Sequence, residues 1–235
     1  ILQILAEMLQ NPSGDRVTTA ALAAKIGVSE AALYRHFASK AQMFEGLIAF
    51  IEQTIFGLIN QINQKEEMGV AQAKGTVQML LGFAEKNPGM VRVLLGDALL
   101  QEDDRLQDRI NQVLDRVETS LKQSLRIAQT QNKDPIQADV VGMQAALLMS
   151  YVIGRWHRFA RSGFKKLPSE GIDPSLRIIW LESARVKESG ASAAFIHALH
   201  HNVIVKFNRA VPKHRTTSAD FVKSFYLGDL LVGGV

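Results

Sequence analysis

The sequence predicts an all-α chain, with a small three-helix unit at the N-terminus carried on a larger helical body. Three observations predict it. Residues 18–40, TTAALAAKIGVSEAALYRHFASK, read as a helix, a glycine turn, a second helix and the capped start of a third. From there to about residue 164, apolar residues recur at helical spacing. No stretch in that span alternates convincingly with the period of two that a half-buried strand needs.

Each element has its own signal. Residues 1–10 form a first helix with Ile1, Leu5 and Leu9 on its inner side, and NPSGD at 11–15 is a loop. Thr18 or Thr19 caps the next helix, because a hydroxyl there accepts an orphan backbone N–H. Leu22, Ala23 and Ile26 share its apolar face. Gly27 takes the left-handed conformation that ends it, and Val28 is expected to plug the turn. Ser29 caps the following helix, whose Leu33 and Phe37 point inward. Ser39 and Gln42 make an S-x-x-Q capping box for a long helix over 40–64, with Phe44, Leu47, Ile51, Ile55 and Leu58 inward. Gly69 marks a break, and the helix over 70–87 ends sharply at Asn87-Pro88-Gly89. A short helix runs to about residue 95. Over 103–129, Leu106, Ile110, Val113, Val117, Leu121 and Leu125 keep helical spacing. Asp103 and Asp104 begin that helix, where its dipole favours carboxylates. After a turn at 131–135, residues 136–164 make a long, mostly apolar helix. A further helix is expected after Pro168, over residues 176–186.

Composition narrows the function. The chain has 235 residues, 47% of them hydrophobic, enough to bury a core. It has no cysteine, which excludes disulfides and thiolate chemistry and fits a reducing cytoplasm. The longest apolar run, 140–154, contains Gln144 and Ser150 and falls short of the ~20 residues that span a bilayer, so no membrane partner is expected. There is no glycine-rich phosphate loop, zincin motif or nucleophile elbow, so neither an enzyme nor a cofactor is expected. His197, His200 and His201 can offer two imidazoles to a metal, but no cysteine or carboxylate cluster accompanies them and no metal site is read. The net charge is +4. Residues 176–235 supply all of it, with eight Lys/Arg against four Asp/Glu, while residues 1–175 hold 19 of each. Binding to an anionic partner would therefore rest on local placement of charge.

Residues 18–40 supply that placement. Their pattern is a helix-turn-helix, whose second helix enters the DNA major groove. Ala31 and Ala32 are small enough to let the helix sit deep. Glu30 can accept from a cytosine amino group, and Arg35 can reach a guanine or a phosphate. Tyr34, His36 and Lys40 offer a hydroxyl, an imidazole and an ammonium to phosphates. Thr18, Thr19 and Ser29, at the helix starts, complete the candidate DNA-binding set. The alternative is an ordinary helical hairpin with a polar face. The continuation into YRHF-x-x-K favours DNA.

This stretch resembles the DNA-binding domain of TetR-family regulators, through Thr18-Thr19, Leu22-Ala23, Gly27-Val28-Ser29, Leu33-Tyr34, His36-Phe37 and Lys40. Three further segments, FAEKNPGMVRVL (83–94), DRLQDRINQVLDRVE (104–118) and RFARSGFKKLP (158–168), are similar to the nucleoid-occlusion branch of that family. The resemblance covers residues 1–173. It implies a helix-turn-helix domain over 1–45 and a helical dimerisation and regulatory domain over 46–186, with 187–235 an atypical C-terminal extension. It also implies a segment preceding Ile1, and a cytoplasmic, nucleoid-associated homodimer on a palindromic double-stranded DNA site. Two long apolar helices near the end of the body would form the dimer interface and set the recognition helices about 34–36 Å apart, one DNA turn. The branch antagonises assembly of the division protein FtsZ, and its FtsZ-binding face corresponds here to Phe50, Met79, Gly82, Lys86 and Asn87. The branch tends to carry arginine where this chain has Leu58 and Lys86, and neither reproduces arginine's forked donors. The alternative on the same scaffold is a ligand-responsive repressor. Met143, Leu147, Met149, Tyr151, Trp156 and Phe159 would then line its cavity, although core or interface packing is the simpler reading. From about Pro174 the likeness fades. A lineage-specific extension and a frameshifted or read-through end both fit the mixed pattern beyond.

Overall fold

The computed structural model describes residues 1–11, 16–100, 102–131 and 138–185, and every regular element among them is helical. The expected tail over 187–235, with His197, His200 and His201, lies outside the described residues. The N-terminal unit is α1 (Leu2–Met8), α2 (Thr19–Ile26) and α3 (Glu30–Tyr34). α4 (Lys40–Lys65) leads from it into the body, which adds α5 (Gly69–Lys86), α6 (Pro88–Leu94), a 3₁₀ turn (Asp97–Leu99), α7 (Asp104–Gln131), α8 (Ala138–Arg161) and α9 (Ile172–Arg185).

The caps form as the residue types dictate. Thr18 Oγ1 accepts from the Ala21 N–H at 3.1 Å, Ser29 Oγ from Ala32 at 3.2 Å, and Ser39 Oγ from Gln42 at 3.2 Å. The Gln42 side chain reaches back one residue further than a capping box requires and accepts from the Ala38 N–H at 2.9 Å. Gly27 has φ +83°, and the N–H groups of Gly27 and Val28 close the end of α2 on Ala24 and Ala23 carbonyls. That closure is made by backbone groups alone. Val28 is therefore not needed as a plug, and it stands 42% exposed, contrary to expectation.

The core runs along one side of α4 through Met43, Phe44, Leu47, Ile48, Ile51, Ile55 and Ile59. The helical period carries the buried stripe from Ile55 to Ile59, so Leu58, expected inside, is only half-buried. By length and composition alone α4 is apolar enough to cross a membrane, but its apolar stripe is packed against the body. α7 buries all six residues its spacing predicts. The break expected at Gly69 falls at residues 66–68, and Gly69 opens α5 with its N–H bonded to Gln131 Oε1 at 2.9 Å. Trp156 of α8 is fully buried and donates Nε1–H to the Leu80 carbonyl at 3.2 Å. Of the six residues read as possible cavity lining, Met149, Trp156 and Phe159 are core and Leu147 is exposed.

Three contacts fasten the N-terminal unit to the body. Gly89 of α6 lies so close to α1 that a Cβ there would collide with the Ala6 carbonyl oxygen. Arg92 donates from Nη1 to the carbonyls of Leu9 and Asn11, at 3.3 and 3.2 Å. Glu102, just ahead of α7, accepts from Arg16 Nε at 3.2 Å and Lys40 Nζ at 2.5 Å. A cavity of about 220 Å³ lies among these contacts, lined by Leu9, Arg16, Lys40, Arg92, Asp97 and Glu102 among others.

Candidate nucleic-acid interface

Leu22, Ala23 and Leu33 are buried and fix α2 against α3. The opposite side is open. Thr18, Ser29, Glu30, Ala31, Tyr34, Arg35 and His36 are exposed, and Thr19 and Ala32 are half-buried. The α-helical part of the recognition element is short, ending at Tyr34, and Arg35 and His36 stand on the turn that follows. The Thr19 hydroxyl donates to Glu30 Oε2 at 2.8 Å. This bond ties the N-terminal ends of α2 and α3 together, and both present backbone N–H groups and a positive dipole end.

Lys40 sits apart from the other candidates. Its ammonium is bonded to Glu102 and lies 5.7 Å from the centre of the Phe44 ring, and its side chain is 19% exposed. Sequence reasoning missed Arg16, Arg92 and Glu102, because their partners lie 62 to 86 residues away along the chain. Beside Glu102, Arg105 donates from its side chain and its backbone N–H to Asp103, which holds that carboxyl down to about 2.

The residues expected to face a protein partner are placed as follows. Phe50 of α4 is 49% exposed, and Met79 packs partly against the core. Gly82 has open space where a Cβ would stand, and Lys86 is exposed in the last turn of α5. Met79, Gly82 and Lys86 follow a three- and four-residue spacing, one stripe of α5. Asn87 ends that helix and donates Nδ2–H to the Phe83 carbonyl at 2.9 Å.

A helix-turn-helix head with an open polar face, carried by a long helix into an all-α body, defines a TetR-type regulator. Residues 6–47 match the model of bacterial regulatory proteins of the tetR family, and residues 68–180 match the tetracyclin repressor-like C-terminal domain of the SlmA-like type. The chain is 51% identical over 170 residues to the Nucleoid occlusion factor SlmA of Alteromonas mediterranea, covering 72% of this chain and 87% of that one. It is 48% identical over 188 residues to that of Vibrio cholerae, covering 80% and 94%. With the protein of that name from a Marinomonas species the identity is 52% over 171 residues, covering 72% and 86%. The chain belongs to the SlmA family within the TetR-type regulators.

Proposed function

We propose that this protein is a sequence-specific DNA-binding homodimer that acts as a nucleoid-occlusion factor and restrains FtsZ assembly. The observation that carries the DNA half is the exposed polar face over Thr18, Ser29–Ala32 and Tyr34–His36, set on a buried α2–α3 contact. Glu30 and Arg35 are the base-reading candidates. Thr18, Ser29, Tyr34 and His36 position the head on phosphates, Thr19 holds the Glu30 carboxylate, Ala31 and Ala32 allow close approach, and Lys40 stands at the edge of the face.

The dimer reading is supported by α8. Leu147 and Gly154 are exposed and Met143, Ser150 and Tyr151 half-buried, along a stripe with helical spacing. Two copies of such a stripe suit a two-fold helical interface. The division half rests on likeness to the relatives and on Phe50, Gly82 and Lys86 being open to a partner.

A chromosome-wide map of binding in growing cells tests nucleoid occlusion against the repressor reading. Sites scattered over the chromosome and sparse near the replication terminus are expected. Binding confined to one operator beside an efflux or metabolic gene would make it a repressor instead.

A further inference from the structure

Every candidate on the DNA face is an end-point of recognition, and none explains how the head is held at one angle to the body. Gly89 and Arg92 hold α1 to the body, and Glu102 is the contact that holds the helix-turn-helix itself. Its side chain is 7% exposed, and one oxygen, Oε1, receives both Arg16 Nε and Lys40 Nζ. Its own N–H is bonded to the Leu99 carbonyl, which anchors it to the 3₁₀ turn of the body. The two cations stand at opposite ends of the helix-turn-helix. Arg16 is two residues before Thr18, the cap of α2, and Lys40 is the first residue of α4. One buried carboxylate thus grips the DNA-reading unit at its entrance and its exit.

The charge arithmetic has a second effect. The Arg16 side chain is 56% exposed and its residue is two positions before Thr18, and Lys40 belongs to the candidate DNA set. An ammonium paired with a largely buried carboxylate gives up much of its attraction for phosphate. Bound to Glu102, the two cations release fewer counterions from DNA than their number suggests.

We propose that Glu102 is a positioning residue for DNA recognition: together with the Gly89 and Arg92 contacts it sets the angle of the head, through Arg16 and Lys40, and it withholds those cations from phosphate, so that specific contacts outweigh non-specific ones. This rests on the DNA-binding reading above and adds a residue outside the DNA face.

The test uses the full chain, a duplex enriched by the wild type from random-sequence DNA, and a shuffled duplex of equal length. Affinity is measured against salt for wild type, Glu102→Gln, Lys40→Gln and the double variant. Glu102→Gln is expected to steepen the slope of log K against log salt by about 0.9 for release of Lys40, and to lower the ratio of specific to shuffled binding. Lys40→Gln is expected to flatten the slope more in the Glu102→Gln background than in the wild type. A merely structural role would weaken binding without changing the slope. An unchanged slope in Glu102→Gln, or an equal Lys40→Gln step in both backgrounds, overturns the proposal. If Glu102→Gln does not fold, Glu102→Asp replaces it. The shorter side chain cannot hold both cations, and a steepening of about 0.9 for one released charge is expected, its absence being the overturning result. If the wild type enriches no sequence yet binds the shuffled duplex, the sequence-specific reading fails, while the slopes on that duplex still decide the role of Glu102.

Discussion

The Thr19 hydroxyl donates to the Glu30 carboxylate at 2.8 Å, so the residue best placed to read a cytosine is held by the residue that starts the other helix of the motif. A carboxylate held this way gives up less rotamer freedom on binding than a free one. Glu30→Ala is therefore expected to relax base preference at one position of each half-site by about 1–3 kcal/mol. Thr19→Val should relax the same position by less. Binding to a panel of singly substituted duplexes checks both.

Arg35 and Tyr34 stand exposed at the end of α3. Arg35→Ala or Tyr34→Ala should weaken specific binding by about 1–3 kcal/mol, with thermal stability unchanged because neither side chain is core. Affinity of the wild type should fall steeply with salt. Titration of a labelled duplex at several salt concentrations measures all three quantities.

Gly89 packs against the Ala6 carbonyl, where α6 meets α1. Gly89→Ala must push α1 away, at a cost of about 1–3 kcal/mol. Because α1 lies behind the reading helices, DNA affinity should fall together with the melting temperature. This distinguishes it from Arg35→Ala, which should lower affinity alone.

Much of this was legible in the sequence because it is local. Thr18, Ser29 and Ser39 bond to N–H groups three residues on, and the buried stripe of α7 repeats every three or four residues. Local patterning of this kind settles helix starts and faces. The junction between head and body was not legible. Glu102 meets Arg16 across 86 positions, and no periodicity or motif announces such a pairing. The exposure of Leu58 and Val28 depends on what packs beside them, and neither has a local signature. The motif marks Lys40 as a phosphate contact, whereas its bond to Glu102 comes from the tertiary fold.

Burial holds the pKa of His157 below its ordinary value. Arg161 pushes the same way and Asp97 opposes them. The unfolded chain therefore takes up this proton at a higher pH than the folded one does. Stability should fall as pH drops through the ordinary histidine range, from about 7 to below 6.5. His157→Gln should flatten that limb of the stability curve. Chemical denaturation between pH 5 and pH 8 checks the sign.

The central claim is that one molecule reads DNA with its head and restrains FtsZ with its body. It is tested most directly by FtsZ polymerisation, followed by light scattering and sedimentation with the protein and its enriched duplex. Wild type is compared with Lys86→Glu and Gly82→Gln. Lys86 is exposed and Gly82 has open space around it, so both variants should fold and keep DNA affinity. The wild type is expected to reduce or remodel FtsZ polymer, with a stronger effect when its DNA is present, and both variants should lose that effect. A wild type that binds its DNA yet leaves FtsZ polymerisation untouched would contradict the account and leave a DNA-binding repressor in its place.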